Sequence, residues 1–139
     1  MGYSEDKTYR LEVVRMKLTE NFTLAEFQTG GTIPAKYMDN VRALAHNLQR
    51  IRDEIGKPIR IHSGFRLPSN NTGAPKSQHL CAKAADLKVR GMEPEELHAI
   101  ILKLIRDGKI AQGGVGLYPG RFVHYDIRGR AARWRAKKR

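Results

Sequence analysis

The chain has 139 residues, enough for one domain with a hydrophobic core, and its 40% hydrophobic and 29% charged residues are ordinary for a soluble globular protein. Its net charge of +12 and pI near 10.2 are unusual and favour polyanionic partners such as nucleic acid, anionic lipid or acidic envelope polymers. The single cysteine, Cys81, excludes an intramolecular disulfide. No apolar run approaches the roughly 20 residues that span a bilayer, and residues 1–7 lack the apolar core of a secretory signal, so we expect a soluble chain.

The first third of the sequence predicts a short helix and then a long one. A short strand is expected near residues 11–16, within a polar N-terminal stretch. Thr23 and Glu26 have the spacing of a capping box, which predicts that a short helix starts there. Over residues 35–55 apolar side chains recur at steps of three and four, and Gly56 follows, so this segment is predicted to form the longest helix.

The remaining elements are mainly strands. Apolar and β-branched runs predict strands at residues 59–63, 84–89, 114–118 and 122–127. Between the second and third of these, a helix is predicted to start at Pro94 and to stop before Gly108. Helices followed by a mostly antiparallel sheet with one helical insertion predict an α+β fold, a single compact domain with the helices packed on one side of the sheet.

Three side chains have the chemistry of a metal site. His79 precedes a predicted strand, Asp86 lies within that strand, and His124 lies in a later one. Two neutral imidazoles and one carboxylate can fill three corners of a zinc tetrahedron and leave the fourth for water, as catalytic sites do. Asp126 is two residues beyond His124, so both side chains are expected on one face of their strand.

The order of these residues resembles a known family. Ser-x-His, six residues, Asp and a later His on a strand is similar to the zinc D-alanyl-D-alanine carboxypeptidase and murein endopeptidase superfamily. The likeness extends, in the same order, over segments 21–27 (NFTLAEF), 63–66 (SGFR), 113–119 (GGVGLYP), 122–126 (FVHYD) and the late Arg133-Trp134. It therefore covers roughly residues 21–134, nearly the whole chain.

The resemblance assigns roles to individual residues. It implies that His79, Asp86 and His124 bind Zn²⁺ in a central cleft. It also implies that Arg66 lines the cleft and contacts a substrate carboxylate or carbonyl, which suits the planar, permanently charged guanidinium. Ser77 would order the loop around His79 or donate to the substrate, although ordinary turn polarity explains it as well.

Two departures from the family pattern concern the backbone and the catalytic base. Ala82 stands where the family usually has glycine. Many relatives place Glu, Asp or His two or three residues before the last ligand, but this chain has Phe122 and Arg121 there. Asp126 then becomes the candidate general base, which would also pass its proton to the leaving amine. The alternatives are that it orients the ligand histidine or pairs with Arg128.

Two other side chains near the predicted site have open roles. Cys81 is a rival soft ligand two residues beyond His79, although a buried and inert small residue is the simpler interpretation. His62 lies on the strand that leads into the site, so it is a candidate for the wall of the cleft.

The C-terminal segment is strongly basic. Residues 128–139 include seven cations and one aromatic ring, Trp134, which is expected to pack on the domain. Adhesion to anionic envelope polymers and a merely solvated terminus both fit this composition. The predicted organisation is an N-terminal extension over residues 1–20, a zinc peptidase domain over 21–134 and a basic tail over 135–139.

The sequence therefore predicts a zinc-dependent peptidase that hydrolyses peptide stems or cross-links of bacterial peptidoglycan, as a carboxypeptidase or an endopeptidase. It would act at the cell wall or in the periplasm. A small basic chain without a signal also fits a phage endolysin, which reaches the wall from the host cytoplasm through a membrane lesion. The alternatives are a non-catalytic zinc-containing module that binds murein or a partner and a basic nucleic-acid-binding protein, although no nucleic-acid motif is present.

Overall fold

The computed structural model describes residues 15–71 and 73–137, which form one α+β domain. Its α-helices are α1 (Leu24–Phe27), α2 (Met38–Ile55) and α3 (Pro94–Arg106). Single 3-10 turns are formed by Ala35–Tyr37, Pro68–Asn70 and Gln78–Cys81. The strands are β1 (Ile59–Ser63), β2 (Ala84–Val89), β3 (Gly114–Tyr118), β4 (Phe122–Asp126) and β5 (Ala132–Arg135). Most of the strand expected near residues 11–16 lies outside the described residues.

The five strands form one mixed sheet in the order β1-β2-β4-β3-β5. The β1–β2, β2–β4 and β3–β4 pairs are antiparallel, and only β5 runs parallel to its neighbour β3. The mostly antiparallel α+β fold predicted from the sequence is therefore confirmed. The position of β4 between β2 and β3 brings residues that are far apart in the chain into direct register.

The hydrophobic core lies between the helices and one face of the sheet. The predicted apolar stripe of α2 is buried, and so is that of α3, which contacts β2, β3 and β4. Because side chains alternate along a strand, Val123 and Tyr125 of β4 join this core while His124 and Asp126 point to the opposite face. Among the described residues, no helix is both long and apolar enough to cross a membrane.

The segment that follows β1 is fixed against α1. The capping box at the start of α1 forms, with the Thr23 N–H donating to Glu26 Oε2 at 2.7 Å. The Phe65 N–H donates to the carbonyl of Phe27 at 2.8 Å. A side chain at Gly64 would place its Cβ 2.6 Å from the same carbonyl oxygen, so only glycine permits this approach. The contact positions the residues just after Gly64 beside the cleft.

Candidate metal centre

The 3-10 turn Gln78–Cys81 positions the first predicted ligand. The His79 N–H donates to Ser77 Oγ at 3.2 Å, so Ser77 caps the turn. His79 Nδ1 lies 2.7 Å from the carbonyl oxygen of Gly64. A carbonyl only accepts, so Nδ1 carries the proton and Nε2 presents its lone pair to the cleft. Because a side chain–backbone hydrogen bond fixes the tautomer, this histidine is preorganised as a ligand through Nε2.

The second and third predicted ligands come from adjacent strands. Asp86 of β2 and His124 of β4 are direct register partners, and His124 Nδ1 lies 3.2 Å from Asp86 Oδ1. His79 Nε2 lies 3.4 Å from the same Asp86 oxygen. One donor atom from each residue lies within 4.8 Å of the other two, and all three side chains are buried. We call these three residues the His–Asp–His cluster.

The donor set of the cluster fits a divalent transition metal with an open position. It offers two imidazole nitrogens and one carboxylate oxygen, which is a combination that zinc accepts in catalytic sites. The side chain of Cys81 is not part of it, because its Sγ is 3.5 Å from the carbonyl of Gln78 in its own turn. The three residues that the sequence singled out are thus brought together.

Asp126 lies behind His124 instead of facing the cleft. Its Oδ2 is 2.6 Å from His124 Nε2, the ring nitrogen that points away from the cluster. The guanidinium of Arg128 donates to both of its oxygens, at 2.9 and 2.8 Å, and the Gly114 N–H donates to Oδ1 at 2.8 Å. The carboxylate is fully buried. Its lone pairs are occupied by this ring and these donors.

The glycine pair at the start of β3, Gly113 and Gly114, makes room for this carboxylate. A Cβ at Gly114 would collide with the carboxylate of Asp126, and a Cβ at Gly113 would collide with its carbonyl oxygen. The two glycines of the 113–119 motif are therefore required on steric grounds. It lets a backbone amide approach Asp126 closely enough to bond it.

The electrostatics of the site keep its carboxylates ionised. Burial raises the pKa of Asp86, but hydrogen bonds and charge interactions with His124 and His79 outweigh it and lower the value to about 2. Burial likewise opposes ionisation of Asp126, and hydrogen bonds from His124, Arg128 and Gly114 hold its pKa well below the usual range. Burial lowers the pKa of His124, yet its hydrogen bonds to the two carboxylates raise it overall. In the metal-free protein the raised pKa therefore favours the protonated form of His124, and the ring must lose this proton before it can bind a metal.

Arg66 is at the junction between the cluster and the cleft. Its Nη2 is 3.3 Å from Asp86 Oδ2, while Nη1 and Nε lie 3.4 Å from Asn71 Oδ1 and 3.3 Å from Ser63 Oγ. The Arg66 N–H also donates to the carbonyl of His79 at 3.1 Å, which ties the two segments together. The side chain is 21% exposed, so the guanidinium retains an open edge toward a ligand.

An open cleft of about 480 Å³ lies over the cluster. The predicted site residues Arg66 and Ser77 line it, together with the three cluster residues. Trp134 of β5 forms another wall, with its ring centroid 4.8 Å from that of His124 and its Nε1–H donating to Tyr118 Oη at 3.0 Å. Its indole lies against Gly116, where any Cβ would collide with the ring.

The cleft contains residues that sequence patterns alone did not assign to a site. Tyr118 and Phe122 stack with ring centroids 4.4 Å apart, and Phe122 also stacks at 5.4 Å on His62, which the sequence did offer as a residue of the cleft wall. Tyr118 and Phe122 are register partners at the hairpin end of β3 and β4, so the short connection between these two predicted strands was the signal that could have paired them. Lys76, at the rim, gave no sequence signal beyond its charge.

A buried cluster of two imidazoles and one carboxylate below an open cleft fits a site for one metal ion with a free coordination position. The model of the family Peptidase M15 matches residues 17–126, which is most of the chain. The protein therefore belongs to this family of metal-dependent peptidases, and the resemblance inferred from its motifs is confirmed. No curated protein matches the chain.

Proposed function

We propose that the protein is a zinc-dependent peptidase that hydrolyses the peptide stems or cross-links of bacterial peptidoglycan, acting at the cell wall. The observation that supports this most strongly is the convergence of His79, Asp86 and His124 at the bottom of the cleft, in a chain of the Peptidase M15 family. The cleft and the net charge of +12 suit an acidic polymer such as murein.

The cluster residues would hold the zinc through His79 Nε2, Asp86 and His124 Nδ1. When bound there, Zn²⁺ supplies Lewis acidity toward a carbonyl oxygen and lowers the pKa of a coordinated water to about 7. Arg66 lies next to the cluster and offers its guanidinium edge to the carbonyl oxygen of the scissile bond. Hydrogen-bond donors that are already in place at this oxygen stabilise the charge that develops on it.

For Asp126 we favour the orienting role over the role of general base. A general base must lie within reach of the proton that it abstracts, yet this carboxylate is buried behind the His124 ring. Its low pKa also makes it a weak proton acceptor. Its contact with Nε2 holds the proton on that nitrogen, which leaves Nδ1 as the ligand atom and fixes the ring plane.

Purified peptidoglycan provides the test of the proposed function. The zinc-loaded protein should release soluble muropeptides and new amino groups from it, a chelator should abolish this release, and added Zn²⁺ should restore it. The variant His124→Ala, checked for folding by circular dichroism, should remain inactive after zinc is restored. Hydrolysis that is indifferent to chelation would refute zinc dependence, and intact peptidoglycan under all conditions would refute the substrate.

A non-catalytic murein-binding module is the second candidate, and one observation favours it. Phe122 and Arg121 replace the upstream acid of many relatives, and both side chains contact the ring of Tyr118. Such a module would bind zinc and cosediment with peptidoglycan without releasing products. The same digestion therefore separates the two candidates, because only the enzyme generates new amino groups.

We further propose that the basic C-terminal segment binds anionic envelope polymers. Arg128 and Arg133 are engaged within the domain, the first by Asp126 and the second by the carbonyl of Gly113. Among the described residues of the segment Arg133 is exposed as well as bonded, and the exposed cations outside these contacts are Arg130, Arg135 and Lys137. Replacing these three by Gln should weaken cosedimentation with whole cell walls and flatten its salt dependence, while hydrolysis of small soluble peptides stays unchanged.

A further inference from the structure

Strand β1 contains a β-bulge beside the His–Asp–His cluster. Ile61 pairs with Leu87 and Ser63 pairs with Asp86, so His62 is the extra residue between the two pairs. Ile61 and Leu87 belong to the hydrophobic core, whereas His62 and Ser63 line an open pocket together with Asp86. In a regular strand Ser63 would face the core as Ile61 does. The bulge therefore turns two consecutive polar side chains toward the carboxylate of the cluster, as bulges next to active sites do.

The ring of His62 lies against the side chain that replaces the usual acid. The ring centroids of His62 and Phe122 are 5.4 Å apart, with an angle of 27° between the ring planes. Phe122 is two residues before His124, one of the positions at which many relatives have Glu, Asp or His. Phe122 lines both the pocket of His62 and the cleft over the cluster. An imidazole from β1 therefore stands beside the position of the acid that this chain lacks.

The other titratable groups around the cluster are poorly suited to accept a proton. Among the described residues that line the cleft and the pocket, the titratable side chains outside the cluster are His62, Arg66, Lys76, Tyr118 and Arg128. Guanidinium, ammonium and phenol groups ordinarily hold their protons at neutral pH. Imidazole is the side chain that both takes up and releases a proton there. His62 is also exposed, so its ring is accessible to a substrate.

The charges around His62 leave its pocket suited to a peptide bond. The charged residues that share the pocket are Asp86 and Arg66, which contact each other at 3.3 Å. Next to the pocket, Arg60 of β1 and Lys88 of β2 are register partners. A peptide bond bound in the pocket thus has a guanidinium available for its carbonyl oxygen and an imidazole available for its nitrogen.

Resting on the proposed function, we propose that His62 transfers the protons during peptide hydrolysis. A ring nitrogen takes a proton from the attacking water as the water oxygen bonds to the carbonyl carbon. The protonated ring then gives this proton to the nitrogen of the scissile bond as the C–N bond breaks. Water thus supplies the hydroxyl group of the new carboxylic acid and one hydrogen of the new amine. Arg66, in the same pocket, faces the carbonyl oxygen.

Two variants of His62 test this role in the zinc-loaded protein. His62→Ala should lower kcat/KM for a soluble stem peptide about 100-fold or more, the loss expected for an acid–base catalyst, while zinc affinity stays that of wild type. His62→Gln, which keeps a hydrogen-bonding side chain without proton exchange, should be impaired equally. His46→Ala, at an exposed position of α2, is the matched control.

The outcomes for the inference and for the proposed function are distinct. Activity retained by His62→Gln would overturn the inference and leave the proposed function standing. If the wild-type protein hydrolyses neither the stem peptide nor peptidoglycan, the proposed function fails and the inference with it.

Added imidazole distinguishes proton transfer from a structural role. It should raise the activity of His62→Ala about tenfold or more, because it enters the vacated space and exchanges the proton, and substituted imidazoles should act according to their own pKa values. It should not rescue His62→Gln, whose side chain fills this space. Wild type in the same imidazole concentrations controls for binding of imidazole to zinc. Failure to rescue His62→Ala would contradict the inference.

A phosphinate analogue of the stem-peptide bond gives a readout without turnover. Its anionic oxygens resemble the tetrahedral state, and one of them should accept a hydrogen bond from the protonated His62 ring. In ¹H–¹⁵N NMR spectra of histidine-labelled, zinc-loaded protein, the analogue should shift the ring signals of His62 and keep both ring nitrogens protonated. Unchanged His62 signals in a sample whose His79 and His124 signals shift would contradict the inference.

Discussion

Asp126 and Asp86 contact opposite nitrogens of the same His124 ring, with Asp126 Oδ2 2.6 Å from Nε2 and Asp86 Oδ1 3.2 Å from Nδ1. The first carboxylate is enclosed by its own donors, whereas the second lies with His79 in the cluster. The ring therefore has one nitrogen for a metal and one for a supporting carboxylate. This is the carboxylate–histidine–metal arrangement that fixes ligand orientation in many zinc sites.

Replacing Asp126 by Asn should weaken zinc binding about 10- to 100-fold, because the carboxylate orients His124 and raises its basicity. Competition with a chromophoric chelator measures the affinity, and the fluorescence of Trp134, the single tryptophan, monitors the environment of the ring beside it. Asp107→Asn, at the end of α3, is the surface control. Unchanged zinc affinity combined with lost turnover would instead support Asp126 as the general base.

Replacing Arg66 by Lys should lower kcat/KM about 10- to 100-fold while zinc stoichiometry remains at one. Lysine keeps the charge but loses the planar fork that contacts Asp86, Ser63 and the substrate together. Steady-state kinetics on a soluble stem peptide and metal analysis of the same sample give both quantities. Arg60→Lys, an exposed position on β1, should change neither. Full activity of the Arg66 variant would remove this residue from the proposed mechanism.

Replacing Ala82 by Gly should stabilise the protein by about 1 kcal/mol. Ala82 follows the turn that presents His79, and it is the one non-glycine residue with a positive φ (62°) in the described part of the chain. A left-handed conformation costs an L-residue with a Cβ roughly this amount. Urea unfolding measures the gain, and Ala84→Gly, in strand β2, should lose stability instead. A destabilised Ala82→Gly protein would show that the local strain is offset by another contact.

The stability of the metal-free protein should fall as the pH is lowered from about 4 to about 2. The pKa of Asp86 is about 2 when folded against an ordinary value of 3.8, so ionised Asp86 stabilises the fold above that ordinary value. Protonation on the way to pH 2 removes this contribution, which is on the order of 2 kcal/mol. Asp86→Asn should flatten this part of the curve of unfolding free energy against pH, whereas Glu54→Gln, at an exposed position of α2, should not. The same slope in wild type and in Asp86→Asn would contradict the assignment.

Much of the site could be predicted because its residues leave local signatures. His79, Asp86 and His124 stand in motifs with fixed spacing, and the helix of residues 35–55 has a long apolar stripe. The structure differs from the prediction at the start of this helix, where residues 35–37 form a 3-10 turn ahead of α2. The ends of a helix are specified less strongly by the sequence than its middle.

Other features depend on contacts between distant segments. Strand β5 was not predicted, because the alternation of Ala132 and Trp134 with arginines covers only four residues within a strongly basic segment. Alternation predicted that Asp126 shares a face with His124, but not that Arg128 and Gly114 would enclose it. The sequence offered His62 as a residue of the cleft wall, but it gave no sign of the pocket that His62 lines with Thr29 and Ser63, because this pocket forms where β1, β4 and the segment after α1 meet.

The position of the bound metal is the decisive test of the His–Asp–His cluster as a zinc site. Crystals grown with one equivalent of Zn²⁺ should show a single anomalous peak that disappears below the zinc absorption edge. We expect this peak about 2.0–2.2 Å from His79 Nε2, His124 Nδ1 and a carboxylate oxygen of Asp86, with a fourth position open to the cleft. A zinc peak at other residues, or none at this cluster under saturating zinc, would contradict it.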